Sequence, residues 1–373
     1  MHMGALRLGI TGAGGMMGWH LRCATVGREE FDVRVADRTT FADQDALEAF
    51  TKDLDVLVHF AGMNRGEEQE VHDVNIALAK QVLAACEASG ATPQLVFSNS
   101  THCERDTLYG ASKRAIGELF RDWASSKGVG CHDLVLPHVF GEHGKPFYNS
   151  VVHTFCHQLA TGEQPTIDHD GDLELLHAAD VADIVLSRVQ EKPDTVETVR
   201  VAGRPLKVSE LLSLMQGFHH SYCELQQIPD LRDPLHLSLF NTLRAALYPQ
   251  AYPIALTLHS DDRGSLFEAV KGAQGGQSFV STTRPGITRG NHFHRRKVER
   301  FLVVQGEASI QIRRLFQDEV QEFRVSGSEP VFIDMPALHT HNITNVGDTE
   351  LLTLFWSHEI FDPERPDTVW ETV

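Results

Sequence analysis

The segment Leu6–Gly18, LRLGITGAGGMMG, constrains this chain more than any other. A short apolar run ends in a glycine-rich turn, and a helical pattern follows at once. Glycines at 12, 15 and 18 allow a tight turn, close approach of backbone to a pyrophosphate, and close packing of helix on sheet. The helix N-terminus then offers unpaired N–H groups and the positive end of its dipole to the phosphates. Thr11, Gly12, Gly15, Met16, Met17 and Gly18 are therefore candidate dinucleotide contacts. In its strand–turn–helix setting the motif reads as the first of several βα units around a parallel sheet.

Four further runs continue that pattern to about residue 200: FDVRVA, DVLVHFAG, QLVFSNS and HDLVLPHVF. Asp37 closes the second run, where a carboxylate binds adenine-ribose hydroxyls and repels a 2′-phosphate. Arg38 follows immediately and suits that phosphate instead, so NAD(H) and NADP(H) both stay open. Phe60, Ala61 and Gly62 end the third run with small residues suited to close cofactor approach. Ser98 and Ser100 fall at a strand's C-terminal end, where open α/β sheets bind ligands. Tyr109 and Lys113 stand i, i+4 on one helix face. The ammonium and the positive nicotinamide would draw the phenol below its ordinary value of about 10. Tyr109 could then exchange a proton with a carbonyl or alcohol while hydride moves, and Ser100 would hydrogen-bond the same oxygen.

Past residue 250 the texture changes. ERFLVVQG, ASIQIRR, VQEFRVSG, PVFIDMP, HTHNITNV and LLTLFW are short, β-rich and punctuated by Gly, Pro and Asp, which predicts an all-β sandwich or barrel. Tyr248-Pro249 and Tyr252-Pro253 interrupt a helical pattern, so the boundary is set at 245/246, giving domains 1–245 and 246–373. His292 and His294, at i and i+2 of a strand, point to one face. Glu299 and His341 on other strands complete a three-nitrogen, one-oxygen set suited to zinc or another divalent transition metal. A metal-free barrel with these histidines as interior polar groups is the alternative.

The balance of 33 Lys+Arg against 51 Asp+Glu gives a net charge of −18. That excludes general affinity for nucleic acid or an anionic membrane surface, both of which need a basic face. Phosphate must be held locally, by dipoles and point cations. Six cysteines without a CxxC pair read as free thiols in a reducing compartment. No apolar run reaches the length of a membrane span and the chain enters a strand pattern at once, so a cytoplasmic protein without a signal peptide is expected.

Residues 5–240 resemble the extended short-chain dehydrogenase/reductases, through Thr11–Gly18 and the Ser100, Tyr109, Lys113 set. The resemblance implies a Rossmann-like doubly wound parallel sheet and action on nucleotide sugars. It carries Asn75 over as a cofactor-segment residue and Asp180 as the late turn Asp; His138 stands where the family has Asn. Asn64, Arg65, His138, Lys145 and Asn149 are the candidate substrate contacts. Residues 250–373 resemble the cupin superfamily, a jelly-roll barrel, with Leu338 at a place usually held by Gly. The segment Arg289–His294 also resembles metal-free sugar-nucleotide 3,5-epimerases, with His294 in place of their Gln. The order of modules resembles bifunctional capsule or O-antigen precursor enzymes. This implies a zinc-containing epimerase joined to an NADPH-dependent reductase, a UDP-linked 4-keto-6-deoxy amino sugar as substrate, and a homodimer. Two other readings stay open: a reductase whose barrel only assembles or senses an effector, and an NAD-retaining epimerase or dehydratase.

Overall fold

The computed structural model describes residues 4–191, 194–262 and 264–373. They divide into two compact units: residues up to Thr154 with His169–Val208, and Phe155–Asp168 with Ser209–Val373. The boundary expected at 245/246 differs from this division, which falls at 208/209 with 155–168 as an additional excursion. Residues 209–245 belong to the β-rich unit.

In the first unit the strands β1 (Leu6–Thr11), β2 (Phe31–Ala36), β3 (Val56–His59), β4 (Gln94–Ser100), β5 (Cys131–Leu136) and Val196–Arg200 form one parallel sheet. The order is β2-β1-β3-β4-β5 with Val196–Arg200 at the far edge. Alternate strand residues enter opposite cores because strand side chains alternate. Leu8, Ile10, Val58, Val96 and Leu134 pack on one face with Leu21 and Val185. Leu57, Leu95 and Phe97 pack on the other with Ile116 and Phe120. The chain order reverses between β1 and β3, the switch point outside whose strand ends such sheets bind ligands.

Helices α1 (Met16–Thr25), α2 (Arg38–Ala42), α3 (Gln44–Thr51), α4 (Glu68–Ser89) and α5 (Leu108–Lys127) connect these strands. The start of α5 is capped by Thr107, whose hydroxyl accepts from Gly110 N–H at 3.0 Å, and its end by Gly128 in the left-handed region. HDLVLPHVF, expected as one strand, is two. Pro137 has no N–H to give the ladder, and His138–Phe140 pairs instead with Asp172–His177 in a separate sheet.

The second unit contains two five-stranded antiparallel sheets. One runs Ile254–Ala255, Val331–Met335, Glu299–Gln305, Leu351–Ser357, Gln277–Thr283; the other runs Val320–Ser326, Glu307–Arg314, His339–Asn345, Thr288–Phe293, Val369–Trp370. They face one another: Phe301 of the first lies edge-on to His341 of the second, ring centroids 5.5 Å apart. On the opposite side of Glu299–Gln305, Arg300 and its cross-strand partner Asp334 form a fully buried bidentate pair at 2.7 and 2.9 Å.

Candidate functional site

The glycine turn is built as its spacing requires. Gly12 has φ +68°, and a Cβ there would stand 2.6 Å from Ala61 N and 2.7 Å from the Phe60 carbonyl carbon. A side chain at Gly18 would run into the backbone of Gly12 and Ala13. Gly15 is different. It caps α1, and a Cβ would meet only the Gly12 carbonyl oxygen, at 3.3 Å. No side chain caps α1 and no acid occupies its first turn, so its N–H groups at Met16 and Met17 stay available to a phosphate. Thr11 fixes the neighbouring segment: its hydroxyl accepts from Ala61 N–H at 3.2 Å. Asn75 is buried and uses both amide groups on Met63, accepting at 2.6 Å and donating at 2.7 Å. It therefore shapes the Gly62–Met63 segment from beneath.

Asp37 caps α2. One of its oxygens accepts from Thr39 N–H (2.9 Å), Thr40 N–H (3.0 Å) and the Thr39 hydroxyl (2.6 Å). Those bonds, the Thr39 hydroxyl first, hold the carboxyl down to about 2. Arg38 opens α2 and is exposed.

At the end of β4, Lys113 Nζ donates to the Ser98 carbonyl at 2.8 Å and lies 5.8 Å from the Tyr109 ring centroid. Ser100 accepts from His102 N–H at 3.2 Å, and the His102 ring packs edge-on to Tyr109. Ser100, Tyr109 and Lys113 are thus gathered around one short 3-10 turn. Burial pushes the Tyr109 phenol up to about 12 and the Lys113 amine down to about 8. The lowered phenol expected from sequence is absent in the protein alone, because desolvation penalises the phenolate. At neutral pH the Tyr109 phenol is protonated.

The candidate substrate residues also meet. Asn149 donates to the Asn64 carbonyl at 3.0 Å, and Arg65 donates to the carbonyls of Phe147 and Tyr148. Lys145 lies 5.9 Å from the centre of the Tyr148 ring, and Arg65 6.0 Å. His138 shares a 2.9 Å hydrogen bond with Ser150 and is kept neutral, pushed down to about 4 by burial with His153 and His102 adding.

In the second unit, one ligand atom from each of His292, His294, Glu299 and His341 lies within 4.8 Å of the others. The three Nε2 atoms surround a single Glu299 oxygen at 4.0, 3.0 and 3.4 Å, respectively for His292, His294 and His341. Two rings are oriented from behind: His341 Nδ1 by the His339 carbonyl at 3.1 Å, and His294 Nδ1 by the Asp367 carbonyl. His341 Nε2 is buried and makes no hydrogen bond. Burial, with His341 and His294 adding, pushes His292 down to about 3, leaving a neutral imidazole. Burial works to raise Glu299, but His294 and His341 hold it well below the usual carboxylate range. Three imidazoles, two of them with anchored Nδ1 atoms, around an ionised carboxylate make a donor set that fits a divalent metal. Leu338 has φ +62°, the region that favours glycine, which explains why the cupin pattern has Gly there.

Residues 8–202, more than half of the chain, match the model described as the NAD dependent epimerase/dehydratase family. The chain belongs to this family. Residues 259–369 match a second description, the polysaccharide biosynthesis C-terminal domain. The chain is 30% identical to the UDP-2-acetamido-2,6-beta-L-arabino-hexul-4-ose reductase of Pseudomonas aeruginosa, over 96% of each protein. Among solved structures it resembles the capsular polysaccharide assembling protein CapF from Staphylococcus aureus. That match has a TM-score of 0.64 at 32% identity, covering 98% of this chain and 100% of that one. The RMD protein from Pseudomonas aeruginosa, solved with NADPH, shares the fold over part of the chain. Its TM-score is 0.55 at 20% identity, over 66% of this chain and 98% of that one.

Within this epimerase/dehydratase member, two groups of residues escape the sequence reading. Glu142, 1% exposed, lies 3.1 Å from His177 Nε2 and 3.5 Å from His20 Nε2, tying the 141–150 loop to α1 and to the end of Asp172–His177. Asp367, also buried, underlies the turn between His294 and Glu299. Neither carries a local signal; each acts across scores of residues. No described helix is long and apolar enough to cross a membrane.

Proposed function

We propose that this chain is a bifunctional sugar-nucleotide enzyme. Its β-rich unit, read as a cupin, epimerises C3 of a UDP-linked 4-keto-6-deoxy-N-acetylhexosamine. Its first unit then reduces the C4 ketone with NADPH, giving a UDP-6-deoxy-L-talosamine-type product for capsule or O-antigen synthesis on the route to N-acetyl-L-fucosamine. The observation that carries the reading is the pairing, in one chain, of a protonated Tyr109 beside Lys113 with a His292/His294/Glu299/His341 set. The two chemistries are consecutive, since proton exchange at C3 needs the C4 ketone and reduction then locks the new configuration. The likeness to a named hexul-4-ose reductase supports the reduction at C4.

When bound, NADPH supplies hydride to C4, and a divalent metal, zinc by resemblance, would polarise the ketone beside the acidic C3 proton. Tyr109 donates its phenolic proton to the C4 oxygen, and Ser100 holds that oxygen by a hydrogen bond. Lys113, anchored on the Ser98 carbonyl, keeps a positive charge against the Tyr109 ring as the phenolate forms. The α1 N-terminus and Gly15 hold the pyrophosphate. Exposed Arg38, beside an Asp37 oxygen already committed to its own helix cap, favours NADP(H) over NAD(H). The resemblance also favours a cytoplasmic homodimer.

The test separates the steps. Tyr109→Phe lowers NADPH oxidation by ~10²–10⁴-fold, the usual worth of a general acid, and leaves solvent deuterium entry at C3 intact. His292→Ala removes deuterium entry at C3, and NADPH oxidation returns only when the already epimerised ketone is supplied. If Tyr109→Phe removes both activities, the division of labour is wrong. If His292→Ala leaves exchange intact and changes only oligomeric state, the barrel is an assembly module.

A further inference from the structure

We propose that the C-terminal strap, through Asp367, positions the metal-binding histidines, so that metal retention depends on a residue that ligates nothing. The proposal rests on reading His292, His294, Glu299 and His341 as a metal site.

The Asp367 carboxylate accepts three consecutive backbone N–H groups: Arg295 at 3.0 Å, Arg296 at 2.9 Å and Lys297 at 2.7 Å. Those residues are the turn between His294 and Glu299, so the carboxylate sets the spacing of two ligands. The Asp367 carbonyl also accepts from His294 Nδ1, which points Nε2 at Glu299. A side chain and its own main chain thus fix the same ligand from two directions.

The strap continues along the other ligands. Val369 and Trp370 pair with Phe293 and His292. Glu371 N–H donates to the Asn291 carbonyl at 2.9 Å. The Glu371 carbonyl accepts from the Thr340 hydroxyl at 2.5 Å, next to His341. Asp367 is 3% exposed, so water does not replace its carboxylate when it is lost. Three adjacent backbone donors would then lack their acceptor, and the turn would relax away from the ligand spacing.

The experiment measures Zn²⁺ affinity of the full chain by competition with a chromogenic chelator, and geometry from the visible spectrum of the Co²⁺ form. Asp367→Ala is expected to weaken Zn²⁺ by ~10–100-fold, the range for lost outer partners of metal ligands, and to shift the Co²⁺ bands. Asp367→Asn retains one acceptor oxygen and is expected to fall between, which keeps the test intact if the alanine variant does not fold. Native-like Zn²⁺ affinity and Co²⁺ bands in folded Asp367→Ala or Asp367→Asn would overturn the strap's role while leaving the metal site standing. If the unaltered chain holds Zn²⁺ no better than His341→Ala, the metal reading itself fails and takes the proposal with it.

Discussion

Replacing Asp334 by alanine removes the acceptor at the centre of a dry polar network. Asp334 and Arg300 are 0% and 1% exposed at their side chains. The carboxylate takes two guanidinium hydrogen bonds and a third from the Tyr222 hydroxyl at 2.7 Å. The Arg300 guanidinium also lies 3.5 Å from the Phe332 ring centre, so it has nowhere wet to retreat. Breaking such a pair from one side leaves a buried charge uncompensated and costs ~3–5 kcal/mol. For a unit of this size that lowers the melting temperature by about 6–20 °C, at roughly 2–4 °C per kcal/mol. Calorimetry of Asp334→Ala beside Arg300→Met/Asp334→Leu tests the reasoning. The double variant removes both charges and leaves Tyr222 bonded to Tyr252 at 2.5 Å, so it should recover most of the loss. A single variant within about 1 kcal/mol of the parent, the size of an exposed pair, would refute the account. So would a double variant as unstable as the single.

Two further outcomes follow from the first unit. Arg38→Ala should raise KM for NADPH about 10-fold or more, with little change for NADH, since only the 2′-phosphate loses its cation; equal effects on both would place Arg38 outside the site. Glu142→Gln should destabilise most between about pH 4.5 and 6.5. The carboxyl, held down to about 2 by His177 and His20 against its burial, contributes above its ordinary value and loses that contribution as pH falls. His177, which Glu142 raises against burial, contributes below its ordinary value and loses it as pH rises through the raised one. Melting temperatures of parent and variant across that range check the sign, and a gap that widens at alkaline pH would contradict it.

Part of the fold and of the candidate site is legible in the sequence. A left-handed glycine, an i, i+2 pair of histidines and an i, i+4 Tyr/Lys pair are local, because backbone sterics and strand or helix period act over a few residues. Gly12, Tyr109/Lys113 and His292/His294 could therefore be located from spacing alone. The direction of the Tyr109 shift could not, since desolvation depends on everything packed around the ring.

What only the tertiary structure decided lies at long separation. Asp367 supports His294 from 73 residues away, Asp334 neutralises Arg300 from 34, and Glu142 meets His177 from 35. HDLVLPHVF reads as one strand, and the structure breaks it at Pro137 and sends the second piece to another sheet. Residues 209–245 signalled helices, but not that they side with the β-rich unit. A buried charge is specified by the partner that compensates it, and that partner leaves no periodic trace in the sequence. Sequence alone therefore located the candidate groups, and the fold decided which distant residues hold them in place.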